Sequence, residues 1–227
     1  TPKPATLVFP HVPVEFGWSS EIGIINTDSS ESISGKMLVY NEDGIQIDAC
    51  GVELAPGQRK SFNQADGCPL LKQGRYIIFE APWGATMAGY TQINMNDQSR
   101  DLVPATVSLV DNYYTYIPHI ASNSQWATGI ALLNRVNETR EITIRFNNGI
   151  IRTMTLGPFV HKAFTIRSLF DGELRPDLES AVIENASGIT GIILFTDLVL
   201  DKMTVLSLNQ KDDTRLCFPH VAQNNDW

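Results

Sequence analysis

No apolar run in this 227-residue sequence approaches the roughly 20 residues that a membrane-spanning helix needs. Ile189 to Phe195 is among the longest, so membrane insertion is not expected. Basic residues are in short supply. Lys and Arg number 17 against 25 Asp and Glu, giving a net charge of −8 and a pI near 4.9, and they form no cluster. Nucleic acid and anionic lipid are repelled at long range, and neither is an expected partner. The acidity is spread over turns such as Asn26-Thr27-Asp28 and Asn41-Glu42-Asp43, where it reads as solubility more than as ligand binding.

Signatures of catalysis are missing as well. The chain has no Gly-x-Ser-x-Gly elbow, no His-Glu-x-x-His, no P-loop and no dinucleotide fingerprint. His11, His119 and His220 each stand without a second His or Cys at ligand spacing. Asn41-Glu42-Asp43-Gly44 reads as a hairpin turn, not a calcium loop. No enzyme, cofactor or metal is therefore expected, although a carboxylate pair that meets only in the fold stays open. Glu80 and Glu184 occupy equivalent strand positions but in different halves of the chain.

What is there is a repeat. Phe9-Pro10-His11-Val12 returns as Ile117-Pro118-His119-Ile120 and as Phe218-Pro219-His220-Val221. A tryptophan follows each histidine by seven residues, at Trp18, Trp126 and Trp227. Eight residues beyond the first two tryptophans stand Asn26 and Asn134. Further on, Asn41-Glu42-Asp43-Gly44 matches Asn147-Asn148-Gly149, dipeptides that tolerate positive φ in a hairpin. Leu54-Ala55-Pro56-Gly57 matches Leu156-Gly157-Pro158-Phe159, and Met87-Ala88-Gly89-Tyr90 matches Ile189-Thr190-Gly191-Ile192. Thr106-Val107-Ser108-Leu109 matches Thr204 to Leu208.

With hydrophobic residues at 43% and charged ones at 19%, the chain can bury a real core. Each copy shows about seven short strands with turn signals between them and almost no helical period, apart from a short turn near Ser168-Leu169-Phe170. The pattern predicts an all-β fold: two tandem immunoglobulin-like β-sandwich domains related by internal duplication. The first spans 1–108. The second spans 109–227 and includes the opening strand motif of a third copy. Polar stretches place the linker near 97–115. Residues 215–222 are expected to pair with the second sandwich or with a neighbouring molecule, a route to self-association; a chain cut from a longer array is the alternative.

Cys50 and Cys68 both fall in the first copy and have no equivalents in the second, which makes them a disulfide candidate; two unrelated thiols are the alternative. A bridge implies an oxidising compartment. Cys217 sits at the position of Val8 and Tyr116 and reads as a buried small hydrophobe. The absence of an initial Met fits a removed secretion signal and equally a trimmed chain.

The His and Trp of the repeat have two readings. A ligand platform would use Trp to stack on a sugar and imidazole to bond a hydroxyl. Fixed spacing in each copy favours a structural role instead. His161, aligned with Arg59, lies outside the repeat and reads as a surface residue. Trp83, in a turn without an aromatic counterpart in copy two, is a candidate contact residue, with packing under the other domain as its alternative. Tyr113 and Tyr114 join it as weak ligand-binding candidates.

These motifs resemble a repeat of secreted or envelope proteins of bacteria: Phe/Ile-Pro-His, Trp, Thr-Gly-Ile-Ala-Leu-x-Asn, an Asp/Asn-Gly turn and Leu-x-Pro-Gly. Ile117 to Asn134, Asn148-Gly149 and Leu54 to Gly57 carry it here. Copy one departs at Ser20 to Gly23, and copy two has Phe159 where Gly is usual. The resemblance implies an exported, multi-copy β-sandwich with no established chemistry. The expected function is a non-enzymatic extracellular or cell-envelope structural or adhesion module with a protein or glycan partner. The alternative is a carbohydrate-binding module using exposed aromatic residues.

Overall fold

Alternation decides the strands. In Arg140–Phe146 the side chains of Ile142, Ile144 and Phe146 are buried while Glu141 and Arg145 face water, as a half-covered sheet requires. The computed structural model describes residues 3–15, 17–66, 71–96, 99–106, 112–199 and 202–208. Its first half runs β1 (Ala5–Phe9), β2 (Trp18–Asn26), β3 (Ile33–Tyr40), β4 (Gln46–Leu54), β5 (Arg59–Asn63), β6 (Tyr76–Ala81), β7 (Met87–Met95) and β8 (Ser99–Pro104). The second half runs β9 (Tyr114–Ile117), β10 (Trp126–Asn134), β11 (Arg140–Phe146), β12 (Ile151–Leu156), β13 (His161–Thr165), β14 (Ala181–Glu184), β15 (Ile189–Asp197) and β16 (Lys202–Ser207).

The fold is all-β, built from four antiparallel four-stranded sheets. The first half stacks the order β1-β6-β3-β4 on β5-β2-β7-β8, and the second stacks β9-β14-β11-β12 on β13-β10-β15-β16. Element by element these are the same order. Each sandwich has its own core: Leu7, Phe9, Ile22, Ile24, Met37 and Phe79 in the first, and Ile117, Ile130, Leu132, Ile144, Ile183 and Ile193 in the second. Immunoglobulin domains pack strands A-B-E-D on C-F-G. Their B–E and C–F pairs have counterparts in β2–β5 and β3–β6, whereas here β1 lies beside β6 and β7 beside β2.

The repeated asparagines are clamps. Asn26 Nδ2 donates to the carbonyls of Glu31, Leu54 and Ala55 while its Oδ1 accepts from the Asp28 N–H. Asn134 repeats this with Glu138, Leu156, Gly157 and Val136. Both are fully buried, and a buried amide is tolerated because its donors and acceptor are filled. The Asp-Gly and Asn-Gly turns also behave as their residues demand, with Gly44 at φ 78° and Gly149 at φ 85°.

Three expectations need correction. Among the described residues each half has eight strands, not about seven, because a hairpin extends each β7-type strand. Ser99–Pro104 is the added strand in the first half, so part of the stretch read as polar linker is paired in a sheet. Of the Thr106 to Leu109 segment, Thr106 forms a bridge with Val8 and the other residues lie outside the described ones. Besides the 3-10 turn at Arg167–Phe170, a second occurs at Leu71–Gln73.

Candidate functional site

The two sandwiches meet over a buried junction, and the repeat motif of the first copy forms much of it. Ile93 and Met95 of β7 and Val103 of β8 pack against Ala131 of β10, Ile192 and Leu194 of β15, and Met203 and Val205 of β16, with Trp18 at the margin. Val8 and Tyr76 pack on Leu133. Each fully buried aliphatic side chain contributes about 1.5–3 kcal/mol relative to exposure, so this contact holds the halves in one arrangement. The sheet β13-β10-β15-β16 is therefore covered on both faces. That explains why β15 is buried along nearly its whole length and runs apolar without alternation from Ile192 to Phe195.

Polar pins set the register of the junction. Asp101 Oδ2 accepts from the Val205 N–H at 2.7 Å and from the Thr204 hydroxyl at 2.8 Å, which occupies part of the open edge of β16. Tyr76 donates its phenol to the Phe159 carbonyl at 3.0 Å. The His161 N–H donates to the Glu42 carbonyl at 2.8 Å. Phe159 holds φ 59° at the place where the first copy has Gly57 at φ 66°. The sequence departure therefore left the backbone turn intact, and its carbonyl serves the junction.

At the centre lies a histidine pair. His11 Nδ1 and His161 Nε2 are 3.0 Å apart, and the rings lie within 6° of parallel. Both are buried. One of these nitrogens donates its N–H to the other, and burial favours the neutral form of both rings. Burial, then the His161 ring, then Arg75 hold His11 well below the usual histidine value. Burial and, secondarily, Arg75 push His161 down to about 4. Neither is poised to exchange protons near neutrality as a general base must. A cleft of about 670 Å³ opens beside them, lined by Pro13, Glu15, Trp18, Arg75 and Phe164 among others, and Arg75 pairs with Glu15 in its wall. His161 is thus a buried junction residue and not a surface one, and His11 has a histidine partner that spacing along the chain does not reveal.

Among the described residues the second copy presents the same motif uncovered. His119 is exposed with its ring 5.3 Å from Phe195, and Trp126 is half-buried. Together they line an apolar groove of about 610 Å³ with Leu206.

The chain matches no protein-family model and no curated protein. What can be said of its function rests on these surfaces.

Trp83 stands 73% exposed, which removes packing beneath the other domain as its role. Tyr113 and Tyr114 are exposed at the start of β9 with their rings edge-on, centroids 4.7 Å apart. The equivalent carboxylates Glu80 and Glu184 lie in different sandwiches, and Glu184 is bound by Arg145. Among the described residues no three His, Cys, Asp or Glu side chains are placed to hold a metal ion, and no helix is long and apolar enough to cross a membrane. Cys50 is disulfide-bonded. Cys68, Cys217, His220 and Trp227 lie outside the described residues, as does the 215–222 strand.

The sequence contained a signal for the junction in the outer faces of equivalent strands. Register equates Gly23, Arg59, Tyr90, Gln92 and Arg100 of the first half with Ala131, His161, Ile192, Leu194 and Met203 of the second. The first set is polar or small and the second largely apolar, so among the described residues only the second half buries this face.

Proposed function

We propose that the chain is a non-enzymatic structural or adhesion module of an exported or cell-envelope protein, acting as a stiff spacer. The observation that carries this reading is the buried junction, whose apolar contact and polar pins tie the two sandwiches into one body. A loose linker would leave each sandwich to present its surfaces independently; a locked pair transmits distance and orientation. The Cys50 disulfide accords with an oxidising compartment, and the acidic surface accords with protein or glycan partners over nucleic acid. Small-angle scattering at pH 7 tests the spacer reading. A profile matched by a single rigid particle supports it, and one that needs an ensemble of hinge angles contradicts it.

A carbohydrate-binding module is the second reading, favoured by the exposure of Trp83, Tyr113 and Tyr114, since flat aromatic faces in water suit sugar rings. A glycan-array screen of the chain and its Trp83→Ala variant separates the two. Specific binding lost in the variant supports carbohydrate recognition, and silence across the array leaves the structural module.

A further inference from the structure

The junction has two complementary sides, and the register of the strands says where each recurs. On the first sandwich the inserting side is Trp18, Ile93 and Val103, with Asp101 as polar pin and His11 beside it. Pairing equates Trp18 with Trp126, Ile93 with Phe195, Val103 with Leu206 and Asp101 with Thr204. Those residues, with His119, line the open groove of the second sandwich. Val103 is 1% exposed beneath its neighbour while Leu206 is 39% exposed. The second sandwich therefore carries the surface that in the first is buried by the following unit.

We infer that this groove is the docking site for a further β-sandwich unit of the same topology, which lays on it the outer face equivalent to Ala131, Ile192, Leu194, Met203 and Val205. The inference rests on the structural-module reading and adds to it the partner and the direction of growth. A second copy of this chain is the wrong occupant. Its apolar outer face already lies beneath its own first sandwich, and the matching face of that first sandwich carries Arg59 paired with Glu21 and stacked over Tyr90. In quasi-one-dimensional assemblies a polar outer face is what a capping unit presents. The sequence itself supplies the opening of another unit in Phe218-Pro219-His220-Val221, the motif that places His11 at the first junction. One position departs from the pattern: Asp197 stands where the first junction has Met95, and its carboxylate accepts from Gln125 and the Val199 N–H within its own sandwich.

The test appends a unit whose docking face is known. Residues 1–217 are joined to a second copy of residues 117–208, so that the repeat motif of the added unit begins where Phe218 stood. Leu206→Cys is placed in the original copy only, and its alkylation rate is read by peptide mass in the two-unit and three-unit chains. Docking predicts labelling at least tenfold slower in the three-unit chain. Leu194→Glu in the added unit, on its outer face and away from its own core, should restore the two-unit rate. Equal rates in the two chains overturn the inference, and so does slow labelling that survives Leu194→Glu. The spacer reading is judged separately, by the scattering of the two-unit chain.

Discussion

Acid should destabilise the whole chain through its junction. His161 has a folded value of about 4 against 6.5 for a free histidine. The unfolded chain therefore takes up a proton between those values that the folded chain refuses. The stabilisation is complete above pH 6.5 and is lost as pH falls towards 4. From pH 7 to pH 5 His161 alone contributes a loss of about 2 kcal/mol, and His11, lowered for the same reason, adds to it. The groups around the pair are the Arg75–Glu15 ion pair, Glu42 in the wall of the same cleft and the Tyr76 ring. Arg75 strengthens the effect by repelling a second positive charge. The assay is urea unfolding at intervals from pH 7 to pH 4.5 for the chain and for His161→Gln, which can still hydrogen-bond but does not titrate. The unfolding midpoint should drop through this window, and the variant should show a markedly shallower drop. A wild-type profile flat from pH 7 to pH 5, or a variant with the same slope, refutes the reasoning.

Two glycines at matched turns isolate a junction contact. Gly149→Ala meets open space and should cost only the left-handed penalty of about 1–2 kcal/mol. Gly44→Ala places a Cβ 2.7 Å from the Phe159 carbonyl oxygen and should cost about 1–3 kcal/mol more, with equal losses in thermal denaturation contradicting the contact. Replacing Asn26 or Asn134 with Ala empties a buried clamp and should cost about 2–3 kcal/mol each in urea titrations; a loss below 1 kcal/mol would sink that role. Thiol titration of the denatured, unreduced chain should find one free sulfhydryl because Cys50 is bridged, and three would refute the bridge.

The sandwich architecture was legible because period-two alternation and Asn-Gly or Asp-Gly turns act locally. Ile142, Ile144 and Phe146 need only their own sheet to be read correctly. The asparagine clamps were visible as a repeat, but their meaning was not: Asn26 bonds carbonyls up to 29 residues away, which spacing cannot show. The junction was harder still. His11 and His161 are 150 residues apart, and His161 sits at the position of an arginine in the other copy, so similarity between copies pointed to the surface. The difference between copies was the better guide. Where Met203 and Leu194 replace Arg100 and Gln92, a face that could have met water meets a neighbour. Position β8 was missed because Ser99, Arg100 and Asp101 are polar, and Asp101 is polar for a reason that lies on β16.

The claim on which the rest depends is that the two sandwiches unfold as one. Differential scanning calorimetry at pH 7 tests it most directly. A shared core predicts a single transition whose calorimetric and van't Hoff enthalpies agree for the whole chain. Two resolved transitions, or a calorimetric enthalpy about twice the van't Hoff value, would mean that the sandwiches melt independently and that the junction does not hold them together.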